Sequence, residues 1–244
     1  MMIVLFTDFG IADPYVGQMH AVFAREAPGA PVIDLFHCVP DFNIRAAAYL
    51  LPAYARDLPP SAVIVGVVDP GVGSVRRPVM LKADKRWYVG PDNGLFEMVR
   101  RRASQLDCHL IRWRPPKLSA SFHGRDLFAP VAARLVRGEA PEAELTELTV
   151  PSGAPWPDDL PEIIYIDHYG NAIAGLRVMS VSASHTIRVG GEVLKYARVF
   201  SDVPPGTAFW YENANGLVEI AVNGGSAAGR LGLKLGDTLT LAKS

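Results

Sequence analysis

The chain of 244 residues carries 24 Lys+Arg against 25 Asp+Glu, a formal net charge of -1, so neither nucleic acid nor an anionic membrane is expected as its main partner. Apolar residues make up 49% of it, yet no run approaches the roughly 20 residues of a membrane span. The opening Met1-Met2-Ile3-Val4-Leu5-Phe6 lacks the basic start and cleavage site of a signal peptide, and Cys38 and Cys108 stand in no metal-ligand spacing, so the expectation is a cytoplasmic protein without disulfides or a bound metal.

The opening residues read as a first strand that ends in Thr7-Asp8-Phe9-Gly10. Asp13-Pro14-Tyr15 then starts a helix, with Asp13 as N-cap and Pro14 at the first helical position. The letters Asp-Phe-Gly match a kinase magnesium motif, but no glycine-rich loop, strand lysine or His-Arg-Asp loop accompanies them. A second strand over 32–36, an alanine-rich helix over 43–56 and a third strand over 61–68 complete a βαβαβ rhythm. No GxGxxG follows strand one, so the dinucleotide fingerprint is missing.

The third strand is β-branched and apolar without alternation, as in a parallel sheet covered on both faces. It delivers Asp69 to the carboxyl edge, where open α/β sheets bind ligands. Pro70 fixes a turn position, Gly71 and Gly73 permit positive φ or close backbone approach, and Arg76 and Arg77 follow. A ligand site and a strand-to-turn corner with a surface ion pair are both open for this stretch.

A hairpin is expected across Asp84-Lys85-Arg86, a structural turn at Pro91-Asp92-Asn93-Gly94, and a helix over 95–102 with Arg100-Arg101-Arg102 as a solvated face. After a strand over 109–113 comes Ser121-Phe122-His123-Gly124-Arg125-Asp126, with Phe122 and His123 in a loop ahead of a helix to about residue 137. His123 has a side chain whose protonation is easily tuned near neutrality, though read alone it is more often a hydrogen-bonded structural residue than a catalyst, while Arg125 and Asp126 read as a cap and a pair. Residues 138–161 are rich in Glu, Pro and Gly and hold the best connector candidate. The expected organisation is an N-terminal domain over 1–150, a linker over 151–162 and a C-terminal domain over 163–244.

In that last part the rhythm changes to short strands over 163–166, 172–177, 186–189, 192–195, 209–211, 217–222 and 238–241, with tight turns at Gly190-Gly191 and Gly236-Asp237. The fold class is therefore α/β: a Rossmann-like N-terminal domain with a mainly parallel sheet, plus a smaller antiparallel β domain, sandwich or barrel. Asp167-His168-Tyr169-Gly170-Asn171 occupies its first hairpin turn, where a ligand-facing loop and an ordinary turn are equally open.

Taken together, Thr7-Asp8-Phe9-Gly10 with Asp13-Pro14-Tyr15-Val16-Gly17, Val68-Asp69-Pro70-Gly71-Val72-Gly73, Pro91-Asp92-Asn93-Gly94, Phe122-His123-Gly124-Arg125-Asp126, Asp167-His168-Tyr169-Gly170-Asn171 and Leu217-Val218-Glu219-Ile220-Ala221-Val222-Asn223 resemble one family in order and over nearly the whole chain. It is the S-adenosyl-L-methionine (SAM) hydrolase (adenosine-forming) family, also called SAM hydroxide adenosyltransferases, related to the fluorinating and chlorinating enzymes. The resemblance implies a homotrimer with SAM held between neighbouring subunits, no cofactor, and attack of water or hydroxide on ribose C5′ to give adenosine and L-methionine. It assigns Asp69, Arg76 and His123 to the water, with Arg76 chosen over Arg77 by family spacing.

The resemblance also places Asp8 on the ribose hydroxyls, Asp13 and Asp167 on the methionine ammonium, Asn171 on adenine, and Glu219, Val222 and Asn223 near the base, with Phe122 and Tyr169 among the substrate-binding residues. The fluorinating relatives carry Tyr in place of Asp69 and Ser in place of Gly124, so the sequence looks like a hydrolase. It departs from the usual pattern at Ala21, Tyr169, Ala174-Gly175 and Ala214. The competing readings are a non-catalytic SAM or adenosine-binding protein and a phosphate-binding α/β hydrolase that uses residues 71–73 and both arginines.

Overall fold

The structure, a computed structural model, describes residues 1–151, 153 and 155–243. Positions 152 and 154, in the expected linker, and 244, in the expected C-terminal domain, lie outside the described residues. The chain divides into two compact units, Met1–Gly153 and Ala154–Ser244.

The first unit is a seven-stranded sheet in the order β2-β1-β3-β5-β4-β6-β7. Its strands are β1 (Met2–Thr7), β2 (Val32–Phe36), β3 (Ala62–Val67), β4 (Pro78–Ala83), β5 (Arg86–Pro91), β6 (Leu106–Ile111) and β7 (Ala143–Leu145). β1, β2, β3 and β5 pair in parallel, whereas β4 is antiparallel to both β5 and β6, and β7 is antiparallel to β6. Five strands thus share one direction, and β4 and β7 oppose it. Every residue of β3 is buried, as its unbroken apolar run demands when both faces are covered.

Helices α1 (Tyr15–Glu26), α2 (Ile44–Tyr54), α3 (Glu97–Arg102) and α4 (Ala129–Val136) cover this sheet. Ile3 and Leu5 of β1 and Val63, Val65 and Val67 of β3 share one core with Met19 and Phe23 of α1 and Phe128, Val131 and Leu135 beside or on α4. The alternate residues Val4, Phe6 and Ile64 point the other way and are fully buried, as are Tyr49, Leu50 and Leu51 of α2.

Several local expectations are corrected. Asp13 does not cap α1: Pro14 takes the cap position with helical backbone angles, and no side chain caps that end. The strand expected over 109–113 instead runs Leu106–Ile111, starting three residues earlier, because its register runs from Leu106 opposite Ala83 to Leu110 opposite Val79. Trp113 falls outside it and stacks under the Arg134 guanidinium at 4.6 Å. The Glu- and Pro-rich stretch hides β7, a short, charged edge strand of the kind that blunts a sheet edge. Arg100 and Arg101 are not a merely solvated face, since both bind the buried Glu97 carboxylate, at 2.7 Å and 2.6 Å. The helix expected up to residue 137 begins as a π-helical turn, Gly124–Phe128.

The second unit holds two antiparallel sheets. One, in the order β12-β13-β9-β8, consists of β8 (Leu160–Ile166), β9 (Ala172–Arg177), β12 (Ala208–Glu212) and β13 (Leu217–Val222); the other, β11-β10-β14, of β10 (His185–Val189), β11 (Glu192–Leu194) and β14 (Thr240–Lys243). β8 begins at Leu160, inside the stretch read as linker. Trp210, Val218 and Ile220 of the first sheet and Ile187, Val189 and Leu194 of the second belong to one core, so the sheets pack as a sandwich. A short helix, α5 (Ala227–Leu231), which the sequence reading lacked, is capped by Ser226, whose hydroxyl accepts from the Gly229 amide. Both cysteines are free, Cys38 exposed and Cys108 buried. Among the described residues, no helix is long and apolar enough to cross a membrane.

Candidate active site

β1 and β3 lie side by side, with Thr7 opposite Val67, so the residues that leave their carboxyl ends emerge together. Asp8 and Asp69 are those residues. Both line a cavity of about 420 Å³ with Phe9, Asp13, Tyr15, Asp41, Phe42, Phe122 and His123, at the edge where ligands bind in open α/β sheets.

Asp69 is held by Arg76 through two bonds: Nε donates to Oδ1 at 3.0 Å, and an NH2 group donates to Oδ2. The same NH2 group meets Nδ1 of His123 at 2.8 Å. The pair is not on the surface, because the Arg76 and Asp69 side chains keep only 9% and 4% of their exposure. A guanidinium can only donate, so Nδ1 of His123 carries a lone pair and its ring proton sits on Nε2. Burial first, and then the Arg76 charge, lower the proton affinity of His123 below the usual imidazole value, which favours that neutral form.

Arg77 is turned elsewhere. It binds the buried Asp92 through Nε at 2.9 Å and NH2 at 2.6 Å, and Asp92 also accepts from the Thr149 amide and hydroxyl. The Pro91–Gly94 turn is thus structural, and Asn93 adds a bond from its amide to the Val68 carbonyl at 2.9 Å. Because the two arginines serve different carboxylates, no paired clamp for a phosphate exists here.

The other wall is aromatic. Phe9, Tyr15 and Phe122 meet pairwise at 5.5 to 5.7 Å between ring centres. Arg125 lies over Phe122 at 5.0 Å, with its own charge matched by Asp126. Gly124 makes room for these rings, since a Cβ there would stand 3.2 Å from both Phe122 and Phe9. Asp8 accepts from the Phe42 amide at 3.1 Å. Burial, and then the negative charges of Asp41 and Asp69, raise its proton affinity in spite of that bond.

The second unit has its own cavity, about 730 Å³, lined by Asp167, Tyr169, Asn171, Phe200, Tyr211, Glu219, Val222 and the 224–226 turn. Asp167 closes its loop by accepting from the amides of Tyr169 and Asn171 and from the Asn171 side chain, at 2.8 to 3.0 Å. Tyr169 stands 76% exposed above it. Glu219 is buried and accepts from Tyr211 and from Asn213. Burial raises the proton affinities of Glu219 and Tyr211, with the shared bond raising that of Tyr211 further. Asn223 is not among the lining residues; its side chain donates to the Val203 carbonyl at 2.7 Å.

A family model described as SAM hydroxide adenosyltransferase N-terminal domain matches residues 3–144, and one described as the C-terminal domain matches residues 161–240. The chain belongs to the SAM hydroxide adenosyltransferase family. It is 42% identical to a protein of Thermus thermophilus named (R)-S-adenosyl-L-methionine hydrolase, over 96% of this chain and 97% of that one. It is 41% identical to a protein of Salinispora arenicola with the same name, over 96% and 94%. The crystal structure of an uncharacterized conserved protein from Thermotoga maritima superposes with a TM-score of 0.84 at 32% identity, over 99% of this chain and all of the other.

Among the residues that this member of the family brings into its two cavities, sequence reasoning missed Phe9, Tyr15, Asp41 and Phe42 in the first and Phe200 and Tyr211 in the second. Phe42 has a positive φ of 59°, a mark of an unusual backbone position that the sequence does not carry. Among the described residues, no group of three or more His, Cys, Asp or Glu side chains is placed to hold a metal ion.

Proposed function

We propose that the protein hydrolyses SAM by attack of water on ribose C5′, giving adenosine and L-methionine. The carrying observation is the partly buried Asp69–Arg76–His123 triangle at the mouth of two parallel strands. The sulfonium leaves as a neutral thioether, so no acid is needed at sulfur; what the reaction needs is a water in line with the C5′–S bond. In this reading Asp69 accepts a hydrogen bond from that water and takes its proton as the C5′–O bond forms. The Nε2–H of His123 donates to the water oxygen, and Arg76 fixes both partners without touching the reacting carbon. Positioned groups of this kind contribute about 10² to 10⁴ in rate.

Asp8 accepts from the ribose diol, Asp13 and Asp167 meet the ammonium, and Asn171 presents its amide oxygen to the adenine amino group, with Tyr169, Glu219 and Val222 around the base and Asn223 contributing through its backbone alone, since its side chain is bonded to the Val203 carbonyl. The reacting epimer is the (R) sulfonium that the relatives' names specify. The assignment is supported by the lining of the two cavities: Asp8 and Asp13 beside aromatic rings in one, Asn171 with Asp167, Glu219 and aromatic rings in the other. We take the active form as a cytoplasmic homotrimer with SAM between neighbouring subunits and no cofactor, each chain organised as domains 1–150 and 163–244 joined by 151–162. Binding without turnover does not require the Asp69, Arg76 and His123 trio, which weighs against a purely binding protein.

The test is incubation with SAM in H₂¹⁸O and mass spectrometry of the products. Enzyme-dependent ¹⁸O in the adenosine 5′-hydroxyl, with unlabelled methionine, is expected. Unchanged SAM would overturn the reading.

A further inference from the structure

Asp69 and Arg76 stand at the two ends of one loop, which leaves β3 after Val67 and enters β4 at Pro78. The middle of that loop, Gly73, Ser74 and Val75, is exposed. The bonds its backbone amides make reach only two or three residues along: Val72 to the Asp69 carbonyl at 3.2 Å, Ser74 to the Gly71 carbonyl at 3.1 Å and Arg76 to the Ser74 hydroxyl at 3.3 Å. Its ends are fixed from outside.

β3 and β4 are not neighbours in the sheet, because β5 lies between them. β5 is parallel to β3 and antiparallel to β4, so the loop crosses the carboxyl end of β5, where the Pro91–Gly94 turn begins. That turn bonds to both ends of the loop. On one side, Nδ2 of Asn93 donates to the Val68 carbonyl at 2.9 Å, in the peptide that carries Asp69. On the other, the Asp92 amide donates to the Arg77 carbonyl at 2.9 Å, and one Asp92 carboxylate oxygen accepts from the Arg77 guanidinium at 2.9 and 2.6 Å. Asp92 is only 5% exposed and Val68 fully buried.

We propose that Asp92 and Asn93 are positioning residues for the reaction: they grip Arg77 and Val68, the residues next to Arg76 and Asp69, and so set the separation at which Arg76 meets both Asp69 and His123. This rests on the proposed hydrolysis of SAM and extends it to a turn that touches neither water nor substrate. The side chains do more than a turn needs. Asx side chains in turns bond their own backbone two residues on. Asn93 does so with its oxygen, which accepts from the Leu95 amide at 3.2 Å, but its nitrogen reaches across to the exit of β3. Asp92 turns both oxygens outward, one to Arg77 and the other to the Thr149 amide at 2.9 Å. The bonds from Arg76 to Asp69 at 3.0 Å and to His123 at 2.8 Å leave little play, and a displacement of about 1 Å in a reacting geometry costs up to about 10² in rate.

Two variants that keep the charge test the two grips. Asn93→Ser retains a short acceptor for the Leu95 amide and loses the reach to Val68; Arg77→Lys loses the planar fork that Asp92 holds. With SAM, assayed below the melting temperature of each variant, kcat is expected to fall about tenfold or more while KM stays within about threefold. The second readout is ¹⁵N NMR titration of the His123 imidazole, assigned by its loss in His123→Gln. His123 faces Arg76, Asp69, Arg114 and Asp126, and after burial the Arg76 charge does most to lower its proton affinity. Loosening Arg76 should therefore raise the His123 pKa in both variants, which a change in stability alone does not do.

Unchanged kcat, a loss confined to KM, or an unmoved His123 titration in Asn93→Ser would overturn the proposal. Should that variant not fold, the same results in Arg77→Lys, at a side chain 36% exposed, would overturn it. SAM left intact by the unaltered protein would sink the hydrolysis reading instead, and the His123 titration would still decide whether the turn sets the triangle.

Discussion

Asp69 was legible as a candidate because it follows a fully buried strand at the carboxyl edge, where open α/β sheets bind ligands, although a turn corner with an ion pair would place a carboxylate there equally well. The choice of Arg76 over Arg77 came only from the spacing that the family resemblance implies, since by reach alone both follow Asp69. It is decided by side-chain direction: adjacent residues of extended chain ahead of β4 point opposite ways, one to Asp69 and the other to Asp92. The role of Asp69 gives the first prediction. Asp69→Asn keeps the shape and removes the proton acceptor, so kcat should fall by about 10² to 10⁴ while SAM affinity changes by less than about threefold. Steady-state kinetics with a separate binding titration would check this, and a variant of full activity would remove Asp69 from the reaction.

At the scale of elements, the Asp69-to-Arg76 loop and the loop that delivers His123 meet at Gly73. Its φ is +79°, and a Cβ there would stand 2.5 Å from the Ala120 carbonyl oxygen. Gly73→Ala should cost about 1–3 kcal/mol of stability through strained backbone, and it should lower kcat by pushing the two loops apart. Urea melts and kinetics read the two effects independently; an active variant of unchanged stability would refute the contact.

In the second unit, Asp159 accepts from the Arg177 amide and guanidinium and from Ser180 at 2.6 to 3.0 Å. Burial alone would raise its pKa, but those bonds outweigh it and hold the carboxyl at about 2, below the ordinary 3.8. A carboxyl lowered in the folded state contributes stability that is present above 3.8 and is lost as pH falls toward 2. Asp159→Asn should therefore cost about 1–2 kcal/mol near neutral pH, with the gap to the unaltered protein closing between about pH 4 and pH 2. Thermal melts across that range test the sign, and a gap that widens in acid would contradict it.

For the whole molecule, neither cavity by itself offers groups for every part of SAM under the proposed assignment. The protein should sediment at three times its 26.4 kDa chain mass, and a fully active monomer would dismiss the trimer. The sequence by itself determined the class of each half: apolar runs buried on both faces can only sit inside a parallel sheet, and short strands separated by glycine turns build antiparallel ones. It also placed the carboxylates at strand ends, since a strand's limits follow from local chemistry. Only the tertiary structure decided that Pro14 displaces Asp13 as the cap of α1, that β7 forms an edge from a Glu-rich stretch, that Asn223 turns to Val203, and that Phe9, Tyr15 and Phe122 share one wall. Those outcomes depend on contacts between residues far apart in the chain, and composition and periodicity carry no record of which distant groups will meet.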